Sequence, residues 1–225
     1  MNILALSDIH GSYRIAADII AHESPDVLII AGDLTNVGSV KEAEQAIRDF
    51  GRFSPRLLCV AGNMDLPQHD ELYARLGMSV NGRGIIIDRV GFFGVSAAPH
   101  SRLHTPYELS ESEIAERIDA AYRQVSAARV KIMIPHAPPY GTKVDIIHAG
   151  IHVGSTAVRE FIEAEQPDVV VCGHIHESRG QDSIDKSRIV NCGTAAHGYY
   201  VKIKVAAEIT VTSCHHPFKT SNPPL

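Results

Sequence analysis

Five short apolar runs in this chain end in the same way, and that repetition constrains the fold more than any other feature. ILAL is followed by Ser7-Asp8-Ile9-His10, VLIIA by Gly32-Asp33, and LLCVA by Gly62-Asn63-Met64-Asp65. VKIMI is followed by Pro135-His136, and VVVC by Gly173-His174-Ile175-His176. Continuous apolar runs this short read as strands covered on both faces. Amphipathic helices at residues 13–22 and 39–50 separate the first three runs, the second opened by a Ser39/Glu42 capping-box pattern. Strand alternating with helix indicates an α/β fold with parallel pairing. Such sheets present ligands at the carboxyl ends of their strands. Five ends converging bring Asp8, His10, Asp33, Asn63, His136, His174 and His176 around one point.

The rest of the chain changes character. Residues 84–88 and 91–95 read as an antiparallel pair, and 96–109 as a loop carrying His100 and His104. Ser110 and Glu113 open a helix to about residue 128, and a strand follows at 130–134. The loop 135–153 is long enough to be read as functional. A helix at 155–165, an apolar run at 168–171 and strands at 189–191, 199–205 and 208–212 complete the reading. Of Tyr199 and Tyr200, one is expected to face the core. Residues 1–225 are taken as one domain, with 214–225 as a tail.

Donor chemistry narrows the ligand. The 13 histidines are abundant for 225 residues, which favours metal-ligand spacing over incidental use. Asp8 and His10 are two apart, as are His174 and His176, and extended backbone would send each pair to one side. Gly32, Gly62 and Gly173 allow sharp bends and close approach. Two Asp, one Asn and four His exceed the needs of one tetrahedral ion and suit two ions sharing a carboxylate. Imidazole mixed with oxygen favours Mn, Fe, Zn, Co or Ni over Ca or Mg, with Mn placed first. Two divalent ions against two aspartates and a bridging hydroxide leave about one positive charge, which suits a phosphodiester anion. Each short motif alone is common; their joint placement at five strand ends carries the reading.

The ordered set D-x-H, G-D, G-N-x-D, a later His and G-H-x-H resembles the calcineurin-like metallophosphoesterases, over Asp8 to His176. The stretch from Thr105-Pro106 through the Ser110 helix, and Gly173–Ser178, are similar to the small prokaryotic phosphodiesterase-like members. The resemblance implies a four-layer α-β-β-α sandwich of two packed mixed sheets. It implies one ion held by Asp8, His10, Asp33 and His176, and a second by Asp33, Asn63, His136 and His174, with Asp33 bridging. It also assigns Asn63, Asp65 and His136 to catalysis, Asp65 by orienting its loop, and Asn63 with His100 to substrate binding. Many members carry a His where this chain has Met64, which has no proton to donate. Loss of a general acid costs on the order of 10²–10⁴ in rate. His69, His100 and His104 are the nearby replacements.

The resulting expectation is a dinuclear-metal phosphodiesterase in which a metal-bridging hydroxide attacks phosphorus. A phosphomonoesterase is the nearest alternative, and Met64 favours a third reading, a metal-binding scaffold with little catalysis. The partner is a small phosphate ester. Net charge −5 and scattered arginines disfavour extended nucleic-acid or membrane binding. Self-association is left open. Cys59 and Cys172 lie in apolar runs and read as inert buried thiols; with no basic leader before Asp8, a cytoplasmic location is expected.

Overall fold

The computed structural model describes residues 1–217. Strands β1 (Asn2–Leu6), β2 (Val27–Ala31) and β3 (Leu57–Val60) alternate with helices α1 (Tyr13–Glu23), α2 (Val40–Phe50) and α3 (Pro67–Arg75). A hairpin, β4 (Gly84–Ile87) and β5 (Val90–Val95), precedes two short strands, β6 (Ala98–Pro99) and β7 (Glu108–Leu109). Next come α4 (Glu111–Gln124), β8 (Val130–Pro135), α5 (Thr156–Glu165) and β9 (Val169–Cys172). The described chain closes with β10 (Gly180–Ile184), β11 (Ser187–Asn191), β12 (Tyr199–Val205) and β13 (Ile209–His215).

The strands form two mixed sheets, ordered β13-β12-β1-β2-β3 and β10-β11-β9-β8-β5-β4. In the first, β1, β2 and β3 run parallel; in the second, β5, β8, β9 and β11 do. Alternation along each strand explains the layering. Ile3, Ala5 and Ile29 face Phe92, Ile132 and Val171 in one buried cluster between the sheets. Their neighbours Leu4, Leu6 and Ile30, with Met133 and Val170 of the other sheet, join the core formed with the helices. Ile19 and Ile47 cover the first sheet, and Ile114, Ile118 and Phe161 the second, giving the four layers α-β-β-α. Each such side chain contributes about 1.5–3 kcal/mol by burial, so truncating Ile29 to Ala costs about 2–5 kcal/mol.

Several boundaries differ from the sequence reading. α4 stops at Gln124, because Val125 leaves helical geometry and buries itself where Gly84 and Gly91 leave room. The Ser110/Glu113 box is complete, whereas at α2 only Ser39 caps, because Glu42 accepts the Tyr13 hydroxyl instead. Segment 96–109 is not all loop: β6 and β7 pair in parallel within it. β10 was not anticipated; GQDSI has no apolar run to announce it. The expected tail starts too early, since Cys214 and His215 belong to β13, paired with Tyr200 and Tyr199. Residues 218–225 of that tail lie outside the described residues. Tyr200 is the tyrosine that faces the core, and Tyr199 lies under the Arg179 guanidinium at 4.2 Å.

Candidate metal centre

Both sheets deliver their parallel strands to one edge, where the loops after β1, β2, β3, β8 and β9 meet. Backbone bonds stitch them together: Asp8 N–H donates to the Gly32 carbonyl, His10 N–H to the Asp33 carbonyl, and Gly173 N–H to the His136 carbonyl. The D-x-H and H-x-H pairs do not converge by extended alternation. Asp8 (φ 54°), His10 (φ 46°), Asp33 (φ 49°) and His174 (φ 67°) all adopt the left-handed region. That conformation costs non-glycine residues roughly 1–2 kcal/mol each and is typical of functional sites. It folds each ligand back over its own strand end. Glycine is required where those side chains land. A Cβ on Gly62 would collide with the Asp33 carboxylate, and one on Gly173 with Ser7 and the Asp8 carboxylate.

All seven expected ligands come together. His176 Nε2 lies 3.1 Å from Asp8 Oδ1 and 3.3 Å from His10 Nε2. Asp33 Oδ2 sits between His10 Nε2 (3.7 Å) and His136 Nε2 (3.5 Å). Asn63 Oδ1 receives His174 Nδ1 at 2.7 Å and His136 Nε2 at 3.1 Å. Two compact donor groups result, Asp8–His10–His176 and Asp8–Asp33–His136, with all ligand atoms of each group within 4.8 Å of one another. Asp8 is therefore common to both groups, while Asp33 faces one histidine from each. This set of hard carboxylate and borderline imidazole donors, with backbone trimmed to glycine behind it, fits divalent transition-metal cations.

The surroundings hold the donors in place. Both Asp8 oxygens accept the His174 backbone N–H, and the Asp8 carbonyl accepts the Thr194 hydroxyl at 2.7 Å. Asp33 Oδ1 accepts the Met64 N–H at 2.7 Å. His136 Nδ1 donates to the Ala31 carbonyl at 2.8 Å, aiming Nε2 inward. Burial works to raise the Asp8 carboxyl, yet the His176 hydrogen bond and the charges of His136 and His176 hold it at about 2. Burial works against the His136 cation, but Asp33 and Asp8 raise it to about 9. His174, buried and beside that charge, is pushed down to about 3 and stays neutral. The two carboxylates thus keep His136 protonated, and a divalent cation would take that proton's place.

The remaining candidates fall elsewhere. Asp65 is buried behind the ligands. Its carboxylate accepts the N–H groups of Leu34, Thr35 and Gly62 and the Thr35 hydroxyl, which makes it a positioning residue. His69 is fully buried, with Nδ1 accepting the Leu66 N–H, so it is no proton donor to a substrate. His100 is largely exposed beside Glu108 and His104 is exposed; both lie on the rim rather than in the cluster. Met64, which stands where the resemblance leads to the expectation of a His, is half-buried. Thr194 was missed, although a signal was present: β11 is also followed by a glycine, in Cys192-Gly193-Thr194, at the end of a strand parallel to β9. Cys59 and Cys172 are buried, and burial pushes both thiols well above their usual range.

The sequence model of the calcineurin-like phosphoesterases matches residues 1–178. The chain belongs to the calcineurin-like phosphoesterase family. Membership makes it a hydrolase of phosphate esters. An uncharacterized protein, MJ1162 of Methanocaldococcus jannaschii, is 28% identical over 204 residues, spanning 89% of this chain and 91% of that one. TT1561 of Thermus thermophilus matches with a TM-score of 0.71 at 18% identity, over 94% of this chain and 97% of that one. A dimetal phosphatase from Danio rerio matches at 0.64 and 10% identity, over 95% of each chain. At those identities the two structures establish the shared fold. Among the described residues, no helix is long and apolar enough to cross a membrane.

Proposed function

We propose that this calcineurin-like phosphoesterase hydrolyses a phosphodiester. Asp8, His10, Asp33 and His176 would hold one divalent cation, and Asp33, Asn63, His136 and His174 the other. Manganese is the first choice, and Fe, Zn, Co or Ni accept the same donors. When bound, such a pair supplies activation of a water nucleophile and neutralisation of phosphate oxygens. The chain's own contribution is to fix the donors before substrate arrives. Asn63 orients two imidazoles, Ala31 aims a third nitrogen, and Asp65 pins the loops that carry Asp33 and Asn63.

One observation carries the choice of a diester: Asp8 and Asp33 are the carboxylates of the two donor groups, so two divalent cations with a hydroxide would leave about one positive charge. A monoester dianion would call for further cationic groups beside the cluster; a diester carries one negative charge. Met64 adds a second constraint. With no proton donor at that position, departure is fastest for a leaving group that needs none. The loops leaving the same strand ends carry exposed Val37, Leu103, Tyr140 and Ile151, which suits an apolar leaving group.

The test is hydrolysis by manganese-loaded protein of a bis-aryl phosphodiester against the matching aryl monoester. The expected kcat/KM favours the diester by about tenfold, or roughly 1.4 kcal/mol in transition-state binding. Preference for the monoester would overturn the diester assignment. Absence of turnover on both, with metal bound, would favour the scaffold reading that Met64 also supports.

A further inference from the structure

A broad cleft lies at the opposite end of the sandwich, where the two sheets part below the amino ends of their parallel strands. It measures about 1180 Å³. Asp26 and Asp33, Arg56 and Asn63, and Arg129 and His136 are each seven residues apart, so the strands separate this cleft from the ligand cluster by roughly 20 Å. Val90, Val130, Val205 and Ile209 contribute apolar surface to its otherwise polar lining. Cationic side chains rim it, although the whole chain carries net charge −5.

Those cations are not equally committed. Arg56 pairs with Asp88 at 3.0 Å, and Arg188 donates to the Ile209 carbonyl. Arg89, from the β4–β5 turn, Arg129, just before β8, and Lys186, from the β10–β11 turn, pair with no acidic side chain among the described residues. The Arg129 N–H donates to the Arg89 carbonyl at 3.0 Å, which fixes these two positions side by side. Of the lining carboxylates, Asp88 is taken by Arg56, Asp26 accepts the Asn2 N–H and Asp168 the Lys131 N–H, leaving Glu208 without such a partner among the described residues. The lining holds five cationic side chains, Arg56, Arg89, Arg129, Lys186 and Arg188, against four carboxylates, Asp26, Asp88, Asp168 and Glu208, because a backbone N–H leaves the charge of Asp26 and Asp168 in place. The cleft thus has one positive side chain in excess, and Arg89, Arg129 and Lys186 are the cations with no acidic partner to displace. Arginine favours phosphate, which it grips with two parallel hydrogen bonds.

We propose that this cleft is a second, non-catalytic site for a small molecule bearing a di- or triphosphate. The three unpaired cations match a short chain of phosphates, and the apolar side chains of the lining accommodate an uncharged remainder. Nucleic acid fits less well, since the lining has no aromatic side chain on which a base could stack. The cations also surround one hollow instead of forming a stripe.

Calorimetric titration of the full chain, with chelator and no divalent cation, tests this using inorganic triphosphate and a nucleoside triphosphate. We expect saturable binding of at least one of them. It should survive Asn63→Ala and weaken about tenfold in the combined variant Arg89→Gln, Arg129→Gln, Lys186→Gln, a modest loss because all three are exposed. It should also weaken as salt rises. Tighter binding of the nucleoside form supports a role for the apolar lining residues, and equal binding supports phosphate recognition alone. Retention of full affinity in the combined variant, or its loss in Asn63→Ala, would overturn the proposal. So would binding of an acidic peptide or oligonucleotide with neither triphosphate bound. A folded circular-dichroism spectrum for the combined variant and a smaller loss in Arg129→Gln alone guard against a folding artefact.

Discussion

The ligand cluster and the loops that ring it occupy the same strand ends yet are held by different means. In the cluster, side chains rest directly on backbone: Asp33 lies on Gly62, and Asp8 on Gly173. Asp65 adds a buried carboxylate that gathers four donors from two loops. On the rim, each loop hangs on one acidic side chain. Glu108 gathers the N–H and hydroxyl of Ser101 and of Thr105. Asp145 gathers Gly141, Thr142, Gly154 and His152. The cluster therefore tolerates almost no change of volume, whereas the rim accepts new side chains wherever its one anchor survives. Such a molecule keeps its chemistry constant while the choice of substrate drifts.

The contrast is broken most severely at Asn63. Its replacement by Ala removes the oxygen shared by His136 and His174, and metal-dependent turnover should fall at least about 10²-fold, read as kcat on an aryl phosphodiester. Met64→His sharpens the role of the missing donor. Rates on alkyl diesters should rise by up to about 10²-fold while aryl diesters change little, seen in the dependence of kcat on leaving-group pKa. Gly173→Ala tests the packing claim: overlap with Ser7 and Asp8 should cost about 1–3 kcal/mol in denaturant unfolding, with weakened metal binding. The smallest effect belongs to the rim. Burial opposes the Glu108 carboxylate, yet the Ser101 and Thr105 donors bring it to about 2, below its ordinary 4.5. Its hold on the loop is thus complete above about pH 4.5 and is lost as pH falls toward 2. Amide exchange at Ser101 and Thr105, corrected for intrinsic rates, should speed up over that window and should already be fast at neutral pH in Glu108→Gln.

The ligand set was legible because chemistry and topology repeat at five places, and a repeat survives errors in any one element. Strands such as VLIIA and VVVC announce themselves by burial on both faces. β10 did not, because an edge strand with polar alternation resembles a loop. Sheet order was equally hidden, since β11 enters between β9 and β10, and no local pattern encodes that neighbour choice. Left-handed backbone at Asp8, His10 and His174 left no trace either; the residue types permit it, but only tertiary contacts impose it. Nothing in the sequence singles out Glu108 or Asp145. Their importance comes from the donors that surround them, and those are assembled by the folded loop rather than spelled out beside them.

The twisted backbone under Asp8, His10, Asp33 and His174 has a consequence for how these positions can change. A substitute must supply a donor atom and also accept left-handed backbone, which β-branched residues resist. Exchange among Asp, Asn and His is therefore open there in conformational terms, whereas Thr, Val or Ile would add backbone strain to a lost donor.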